Sequence, residues 1–464
     1  MPPRIASLLT WSFVIWLFRR DIQQKPNVSG ALWIPFFWFF IECSRPPSHW
    51  LIMLGLPVPG GASLDDGTPV DACFQFGVLI AGLCILYKRG ASFGEFIRNN
   101  VWVAIFIGYC FLAVFWSDWT YVAFKRWIKD LDLPIMAMVV LTEADPLEAA
   151  TRLIKRAAYV LLPVSVLFLK YYPQWGRFYS DWGGCENCGI ALGKNFLGLD
   201  CLMTGFFFVW HLTRLLKVPR DFRDKSWRSE LVLCVGFLFM VGWLFNIANS
   251  RTPLVCLTVG ALVMLLSGSS WVRKEMIGAY LLGGLLLVGV FQMTFDVYGG
   301  ALKLLGRNPT LTGRAFEWHD LLNIDINPVT GVGFESFWMG WQKKFPKEWE
   351  RELNECHNGY LETYMTLGAV GVALLLAMLL AAYRNVCAEL VRNVEWGRFR
   401  VGFFFAVVLY DWTESGFRGI DPIMQMFYII ALNSPKLQLD VAKSIAEAPV
   451  ADLTPELANT ATPP

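Results

Sequence analysis

Residues 360–383, YLETYMTLGAVGVALLLAMLLAAY, decide the fold, because Glu362 carries the only charged side chain in this run of 24 residues. A helix of about 20 apolar residues crosses the ~30 Å of hydrocarbon in a bilayer. Similar runs recur along the chain, in which 55% of residues are apolar and 17% are charged. A typical soluble domain carries about 25% charged residues. The sequence therefore predicts an all-α polytopic membrane protein.

The apolar runs predict 12 or 13 transmembrane helices. They cover residues 8–18, 30–43, 71–87, 101–117, 131–143, 157–171, 190–213, 231–247, 252–270, 276–297, 360–383, 400–411 and 422–433. The first run is short, and its inclusion decides between 12 and 13, so the side of the N-terminus stays open. Residues 1–443 are predicted to form one transmembrane domain, and residues 444–464, rich in Ala, Pro and Thr, a disordered cytoplasmic tail.

Lys and Arg concentrate in alternate loops, such as residues 152–156 and 214–228. The positive-inside rule assigns these loops to the cytoplasm. The extracytoplasmic loops are then residues 44–70, 117–130, 172–189, 249–252, 298–358 and 412–421.

Cys185 and Cys188 lie in one of these extracytoplasmic loops. Oxidation is allowed there, so we expect a disulfide between them. Because only one such pair is present, a four-ligand zinc site is not predicted.

The loop of residues 298–358 is far longer than an ordinary connection, and such loops tend to be functional. Thr312 is expected to cap a helix that ends before Asn327-Pro328. Helical spacing places Arg314 and Glu317 on one face with Trp318 and Leu321. A charge pair beside an apolar stripe is typical of a helix that lies on a membrane surface or covers a cavity.

Basic side chains gather on the predicted outer side: Arg251 between two spans, Arg314 in the long loop, His357 at its end and Arg126 in an earlier loop. A guanidinium matches two phosphate oxygens at once and stays charged. Converging arginines therefore predict a pyrophosphate clamp. An Arg beside a span also often only extends to lipid headgroups, and for Arg126 that interpretation is favoured.

His357 is predicted to accept the proton of an attacking hydroxyl group. Cationic neighbours are expected to lower its pKa and keep it neutral. Helical spacing is expected to place it on one face with Leu361 and Tyr364, while Gly359 leaves room for a bulky substrate. A lone interfacial histidine, by contrast, is more often structural than catalytic.

The order of the motifs resembles the O-antigen ligase and polymerase superfamily within the GT-C class of membrane glycosyltransferases. The matching pieces are Trp116-Ser-Asp-Trp-Thr with Lys125-Arg126, Gly193-Lys-Asn-Phe-Leu-Gly, Asn249-Ser-Arg-Thr-Pro-Leu, Thr312-Gly-Arg with Trp318, Asn327-Pro-Val-Thr-Gly-Val-Gly-Phe, His357-Asn-Gly-Tyr-Leu-Glu-Thr with Gly368 and Gly371, and Glu414-Ser. Each motif is weak alone, and their shared order carries the resemblance. Residues 38–50 are most similar to the exopolysaccharide-production branch.

The resemblance implies a metal- and cofactor-independent glycosyltransferase at the periplasmic face of a bacterial inner membrane. Its donor would be a glycan on undecaprenyl pyrophosphate, and its acceptor hydroxyl would belong to a lipid A core sugar, a second lipid-linked glycan or a pilin serine. Ligases and polymerases share these motifs, so the two remain open. Membrane lipids are expected partners, and a net charge of +2 does not favour nucleic acid.

The family's essential residues correspond here to Arg251, Arg314 and His357, which are the predicted catalytic groups. The predicted substrate-binding residues are Arg126, Lys194, Asn195, Tyr360 and Glu414.

Two other functions compete with glycan transfer. A transporter of a small anion should place charges near mid-span and show repeated halves. Asp200 is the main charge within the predicted spans, and the sequence shows no internal repeat. A membrane scaffold would explain neither the arginines nor His357. Glycan transfer is therefore the favoured prediction.

Overall fold

A computed structural model describes residues 1–58, 67–179, 184–280, 314–340 and 355–433. Within these residues the secondary structure is helical apart from one hairpin, in which β1 (Arg177–Tyr179) pairs antiparallel with β2 (Cys185–Asn187). The predicted all-α fold is confirmed. Thr312, most of the expected span at 276–297 and the tail 444–464 lie outside the described residues.

The helices follow the predicted apolar runs wherever these runs are described. In chain order they are α1 (Pro3–Gln23), α2 (Trp33–Cys43), α3 (Pro47–Met53), α4 (Pro69–Lys88), α5 (Phe93–Asn99), α6 (Val101–Ala113), α7 (Thr120–Asp130), α8 (Asp132–Leu141), α9 (Pro146–Tyr171), α10 (Pro173–Gly176), α11 (Lys194–Lys217), α12 (Lys225–Ala248), α13 (Arg251–Ser267), α14 (Arg314–Leu322), α15 (Gly359–Arg392), α16 (Val394–Tyr410) and α17 (Pro422–Ala431).

Four of the described helices, α4, α11, α12 and α15, are long and apolar enough to cross a membrane. The pair α5 and α6, bent by 102°, would make a fifth span if counted as one. Shorter apolar helices include α13 and α17. A multi-pass membrane protein is thus confirmed, and the number of 12 or 13 spans stays a prediction.

The basic segment 152–156 was expected to be a loop, and this expectation is wrong because the segment lies inside α9. Arg152 Nη1 is 2.6 Å from Asp21 Oδ1, and Arg156 Nε is 2.8 Å from Asp21 Oδ2. Lys155 pairs with Glu230 of α12. Since carboxylates on neighbouring helices neutralise these cations, the helix continues through them.

Small residues let α11 and α13 approach closely. A Cβ atom added to Gly198 of α11 would lie 2.9 Å from Ser250 Oγ and 3.0 Å from Pro253 Cγ. Close backbone approach at small residues is typical of packed membrane helices. The N-termini of α11 and α13 are therefore neighbours.

Helix α15 contains a break at Gly368, whose φ is +65°. Carbonyl groups of the first part of the helix accept hydrogen bonds from the Gly-Val-Gly segment: Val332 N–H donates to Met365 O at 3.1 Å, and Gly333 N–H donates to Thr366 O at 2.9 Å. Gly331 and Gly333 thus pack against the break in α15.

Candidate active site

Segments far apart in the sequence meet at one end of the helices. Ser250 Oγ, just before α13, donates to Asn195 Oδ1 in the first turn of α11 at 3.3 Å. Thr413 Oγ1 donates to Thr252 Oγ1 at 3.1 Å, which joins residues 411–421 to the start of α13. The predicted residue Asn195 therefore lies beside the segment that carries Arg251.

Arg314 begins α14 and contacts the loop of residues 411–421. Its Nη2 is 3.1 Å from Glu414 Oε1, and its Nη1 donates to Thr413 O. The side chains of Arg314 and Glu414 are 16% and 7% exposed. Removing one partner of a buried pair typically costs about 3–5 kcal/mol, so each of these side chains holds the other in place.

His357 lies between two carboxylates. Its Nδ1 is 2.7 Å from Glu355 Oε1 and 3.7 Å from Glu414 Oε2. The shorter contact is an ion pair rather than a well-directed hydrogen bond. The structure thus joins His357 to Arg314 through Glu414.

The backbone of His357 has a φ of +49°, in the left-handed region. Asn358 caps α15 by accepting from the N–H groups of Tyr360 and Leu361 at 3.0 Å. His357 therefore precedes the helix, and the expected helical face shared with Leu361 and Tyr364 is wrong.

Neighbouring elements fix the segment around His357. Trp318 Nε1 of α14 donates to Cys356 O at 2.9 Å. Cys356 N–H donates to Glu362 Oε2 of α15 at 2.9 Å, and Asn358 N–H donates to Ser415 Oγ at 3.2 Å. Trp318, on the predicted face of α14, thus contacts the segment that carries His357 directly.

Gly359 is surrounded by the loop of residues 411–421. A Cβ atom there would collide with Asp411 Oδ1 and lie 3.2 Å from Phe417 Cδ2. The expectation that Gly359 leaves room for a bulky substrate is therefore wrong, since protein atoms occupy that space.

The expected lowering of the pKa of His357 is also wrong. Burial lowers this pKa, but the carboxylates of Glu355 and Glu414 outweigh burial and the charge of Arg314, and the pKa is raised to about 9. Burial raises the pKa of Glu355, yet His357, Arg418 and Arg314 bring it below its ordinary value. At neutral pH the pair is an imidazolium and a carboxylate.

Glu355, His357 and Glu414 place one potential metal-ligand atom each within 4.8 Å of one another. The charges of the two carboxylates are, however, already opposed by the imidazolium of His357 and the guanidinium of Arg314. The cluster is thus electrically balanced by protein groups.

Two further predicted cations begin helices near this cluster. Arg251 is the first residue of α13 and has an exposed side chain. Lys194 is the first residue of α11, and its Nζ is 2.5 Å from Glu186 Oε1 in β2. The side chains of Lys194 and Glu186 are 41% and 36% exposed, so an anion could separate this ion pair at a cost of about 0–1 kcal/mol.

Arg126 joins a second group of charges. Its Nη1 donates to Glu335 O at 2.8 Å and is 3.6 Å from Glu335 Oε2. Arg418 Nε is 3.5 Å from Glu335 Oε2 and 3.6 Å from Glu362 Oε1. These contacts engage Arg126 with protein groups, which the lipid-headgroup interpretation did not predict, and its substrate-binding role stays a prediction.

Tyr360 faces the protein interior. Its hydroxyl donates to Val408 O at 3.0 Å, and its ring centre lies 5.6 Å from that of Phe417. The structure does not bring this hydroxyl to the His357 cluster, so its predicted role in binding is also untested.

The sequence analysis missed Glu355, Glu362 and Arg418. Glu355 stands two residues before His357, but the left-handed φ of His357 interrupts the alternation of an extended segment, so spacing alone does not predict their contact. For the contact between Arg418 and Glu362 the sequence offers no local signal, since 56 positions separate them.

The predicted disulfide is contradicted, because Cys185 is a free exposed thiol and Cys188 a free buried thiol. Cys185 lies in β2 opposite Tyr179, whereas Cys188 lies beyond the end of this strand. Cys188 instead approaches Glu186 O at 3.5 Å.

In a comparison with known sequences, residues 235–376 match the model of the family described as O-antigen ligase. The predicted resemblance is confirmed. This stretch, under a third of the chain, contains Arg251, Arg314 and His357 but neither Lys194 nor Glu414.

Two relatives agree with this match. The exopolysaccharide production protein ExoQ of Rhizobium meliloti (strain 1021) is 24% identical over 298 residues, which cover 61% of this chain and 65% of ExoQ. A Rickettsia typhi protein provisionally named polysaccharide ligase RT0347 is 24% identical over 187 residues, covering 37% of this chain and 43% of that protein. The matched region thus spans less than two thirds of either relative.

Proposed function

We propose that this protein transfers a glycan from undecaprenyl pyrophosphate to an acceptor hydroxyl at the periplasmic face of a bacterial inner membrane. The observation that carries the proposal is that Arg314, Glu414 and His357 lie in contact at the N-terminus of α15. Two of these residues lie in the stretch similar to O-antigen ligases. The polytopic GT-C arrangement, with residues 298–358 outside and 444–464 inside, belongs to the same proposal.

The donor is bound through its pyrophosphate. Arg314 and Arg251 supply guanidinium groups, and Lys194 supplies an ammonium group beside the N-terminus of α11. As the bond between the anomeric carbon and the pyrophosphate oxygen breaks, negative charge grows on the leaving group. Fixed cations stabilise that charge, so no metal ion is needed.

The acceptor is a hydroxyl of a lipid A core sugar or of a second lipid-linked glycan. Its oxygen forms the new bond to the anomeric carbon, and its proton passes to neutral His357. A base with a pKa near 9 is mostly protonated at neutral pH. The neutral form is a strong base but a minor species, so the transfer rate should depend steeply on pH.

A direct experiment uses the purified full-length protein in nanodiscs with a glycan on undecaprenyl pyrophosphate and each acceptor in turn. We expect a product joined to one acceptor class, release of undecaprenyl pyrophosphate, and the same rate with and without EDTA. Uptake of small anions into vesicles, without turnover of any lipid-linked donor, would instead support a transporter.

A further inference from the structure

We propose that Glu355 is a positioning residue for His357: its carboxylate holds the Nδ1 side of the imidazole and leaves Nε2 to face the reacting hydroxyl. This inference rests on the proposed function, in which His357 contacts the acceptor. Neither the motifs of the sequence nor the comparisons assign a role to Glu355.

The distances identify Glu355, rather than Glu414, as the partner of the ring. His357 Nδ1 is 2.7 Å from Glu355 Oε1 but 3.7 Å from Glu414 Oε2. Glu414 is also engaged by Arg314 at 3.1 Å. Glu414 therefore pairs mainly with Arg314, and Glu355 pairs mainly with His357.

Hydrogen bonds of the backbone hold the segment that carries Glu355 and His357 in place. Glu355 and His357 flank Cys356, whose N–H donates to Glu362 Oε2 and whose carbonyl accepts from Trp318 Nε1, both at 2.9 Å. Both peptide groups of the buried Cys356 are thus tied to helices. A left-handed φ at a residue other than glycine costs about 1–3 kcal/mol and persists where the surroundings impose it.

The charged groups that face His357 come from each element packed against it. Glu355 comes from its own segment, Glu414 from the loop of residues 411–421, and Arg314 from α14. Replacing Glu355 by Gln would remove the nearer anion and leave Glu414 shared with Arg314. The carboxylate forms and breaks no covalent bond; it orients the ring, as partners of functional histidines commonly do.

The chain offers a matched control on the same outer loop. His319 Nδ1 is 3.3 Å from Asp320 Oδ1, and the two side chains are 77% and 36% exposed. Glu355→Gln and Glu355→Asp are therefore compared with Asp320→Asn in the full-length protein. Histidine ring nitrogens are followed by NMR, which is practical because the chain has four histidines. The signal of His357 is assigned from its loss in His357→Gln.

We expect Glu355→Gln to lower the titration midpoint of His357 by about 1–2 pH units, the usual effect of losing an adjacent opposite charge. The midpoint of the pH–rate profile for glycan transfer should move by the same amount. Glu355→Asp should largely restore both, and Asp320→Asn should change neither.

An unchanged His357 midpoint in Glu355→Gln would overturn the proposal and make Glu414 the partner. It would also be overturned if Glu355→Asp and Glu355→Gln had the same effect, since the role would then be steric. If the NMR shift appears but no variant, wild type included, transfers a glycan, the pairing stands and the proposed function fails.

Discussion

At the scale of single residues, His357 and His319 form an internal comparison, because both lie in the predicted outer loop beside a carboxylate. Only His357 joins the cluster of Arg314 and Glu414. Loss of a general base commonly reduces a rate by ~10²–10⁴. We expect His357→Ala to abolish detectable transfer, measured with purified protein and a lipid-linked donor, and His319→Ala to retain it. Equal activity of His357→Ala and wild type would remove the base assignment.

The protonation of His357 gives a second prediction. Its pKa of about 9 means that the imidazolium form prevails below that pH. If neutral His357 is the base, the transfer rate should rise with pH and level off above about 9. A rate that falls as the pH passes 9 would show that the imidazolium is the active form. Initial rates measured from pH 6 to 10 at saturating donor distinguish the two.

The two arginines should differ from lysine in function even though the charge is kept. Arg314 spans Thr413 O and Glu414 with separate nitrogens, which one ammonium group cannot imitate. We expect Arg314→Lys and Arg251→Lys each to lower the transfer rate by at least ~10². Arg220→Lys, at an exposed position beyond the far end of α11, is the control. Full activity in both site variants would make the arginines interface anchors.

The residues of the candidate site were largely predictable, but their partners were not. Motif order identified Arg314, His357 and Glu414, and the structure brings these three together. The pKa of His357 was predicted in the wrong direction because the carboxylate of Glu355 was overlooked. Pairing between side chains depends on backbone turns, such as the left-handed φ at His357, that local sequence patterns do not specify.

At the scale of secondary structure, the break in α15 predicts a strict need for glycine at position 368. A Cβ atom there would collide with the carbonyl carbon of Val329 and lie 2.5 Å from Thr330 N, while φ is +65°. We expect Gly368→Ala to destabilise the protein by about 1–3 kcal/mol or more and to reduce transfer. Thermal unfolding in detergent measures this.

Gly236→Ala in α12 is the matched control, because a Cβ atom there would meet no atom of another helix or loop within 4 Å among the described residues. It should leave activity unchanged and should not destabilise the protein, because alanine favours a helix over glycine. A Gly368→Ala protein that melts and functions like Gly236→Ala would show that the break in α15 is not required.

Apolar helices were predictable from hydropathy and α14 from its helical spacing, whereas α7 and the start of α9, which carry charged residues, were not. Residues 152–156 read as a loop because they are basic, yet Asp21 neutralises Arg152 and Arg156 within the helix bundle. The surface helix α7, which carries Lys125 and Lys129, was likewise read as part of a loop. A hydropathy scale scores each residue by itself, so it misses charges that residues on neighbouring helices neutralise.

At the scale of the whole molecule, the sequence predicted an all-α multi-pass protein because hydrocarbon admits few other folds. Which helix ends come together was less predictable. That depends on contacts such as Gly198 against Ser250, which join helices through single small residues. The close approach of α11 and α13 places Asn195 and Ser250 in contact, 55 positions apart in the sequence.

The orientation of the molecule can be tested at two positions on opposite sides of α11. This helix of 24 residues starts at Lys194 beside the candidate site, and Arg220 lies just beyond its other end. At 1.5 Å per residue a helix of that length exceeds the ~30 Å hydrocarbon core, so we expect its ends to face different compartments. Exposed Asp325, which follows α14, belongs to the site end. Alkaline phosphatase inserted after Asp325 should therefore be active and a fluorescent protein dark, with the reverse at Arg220. If both positions reported the opposite compartments, the site would face the cytoplasm, and a periplasmic glycan transfer would be ruled out.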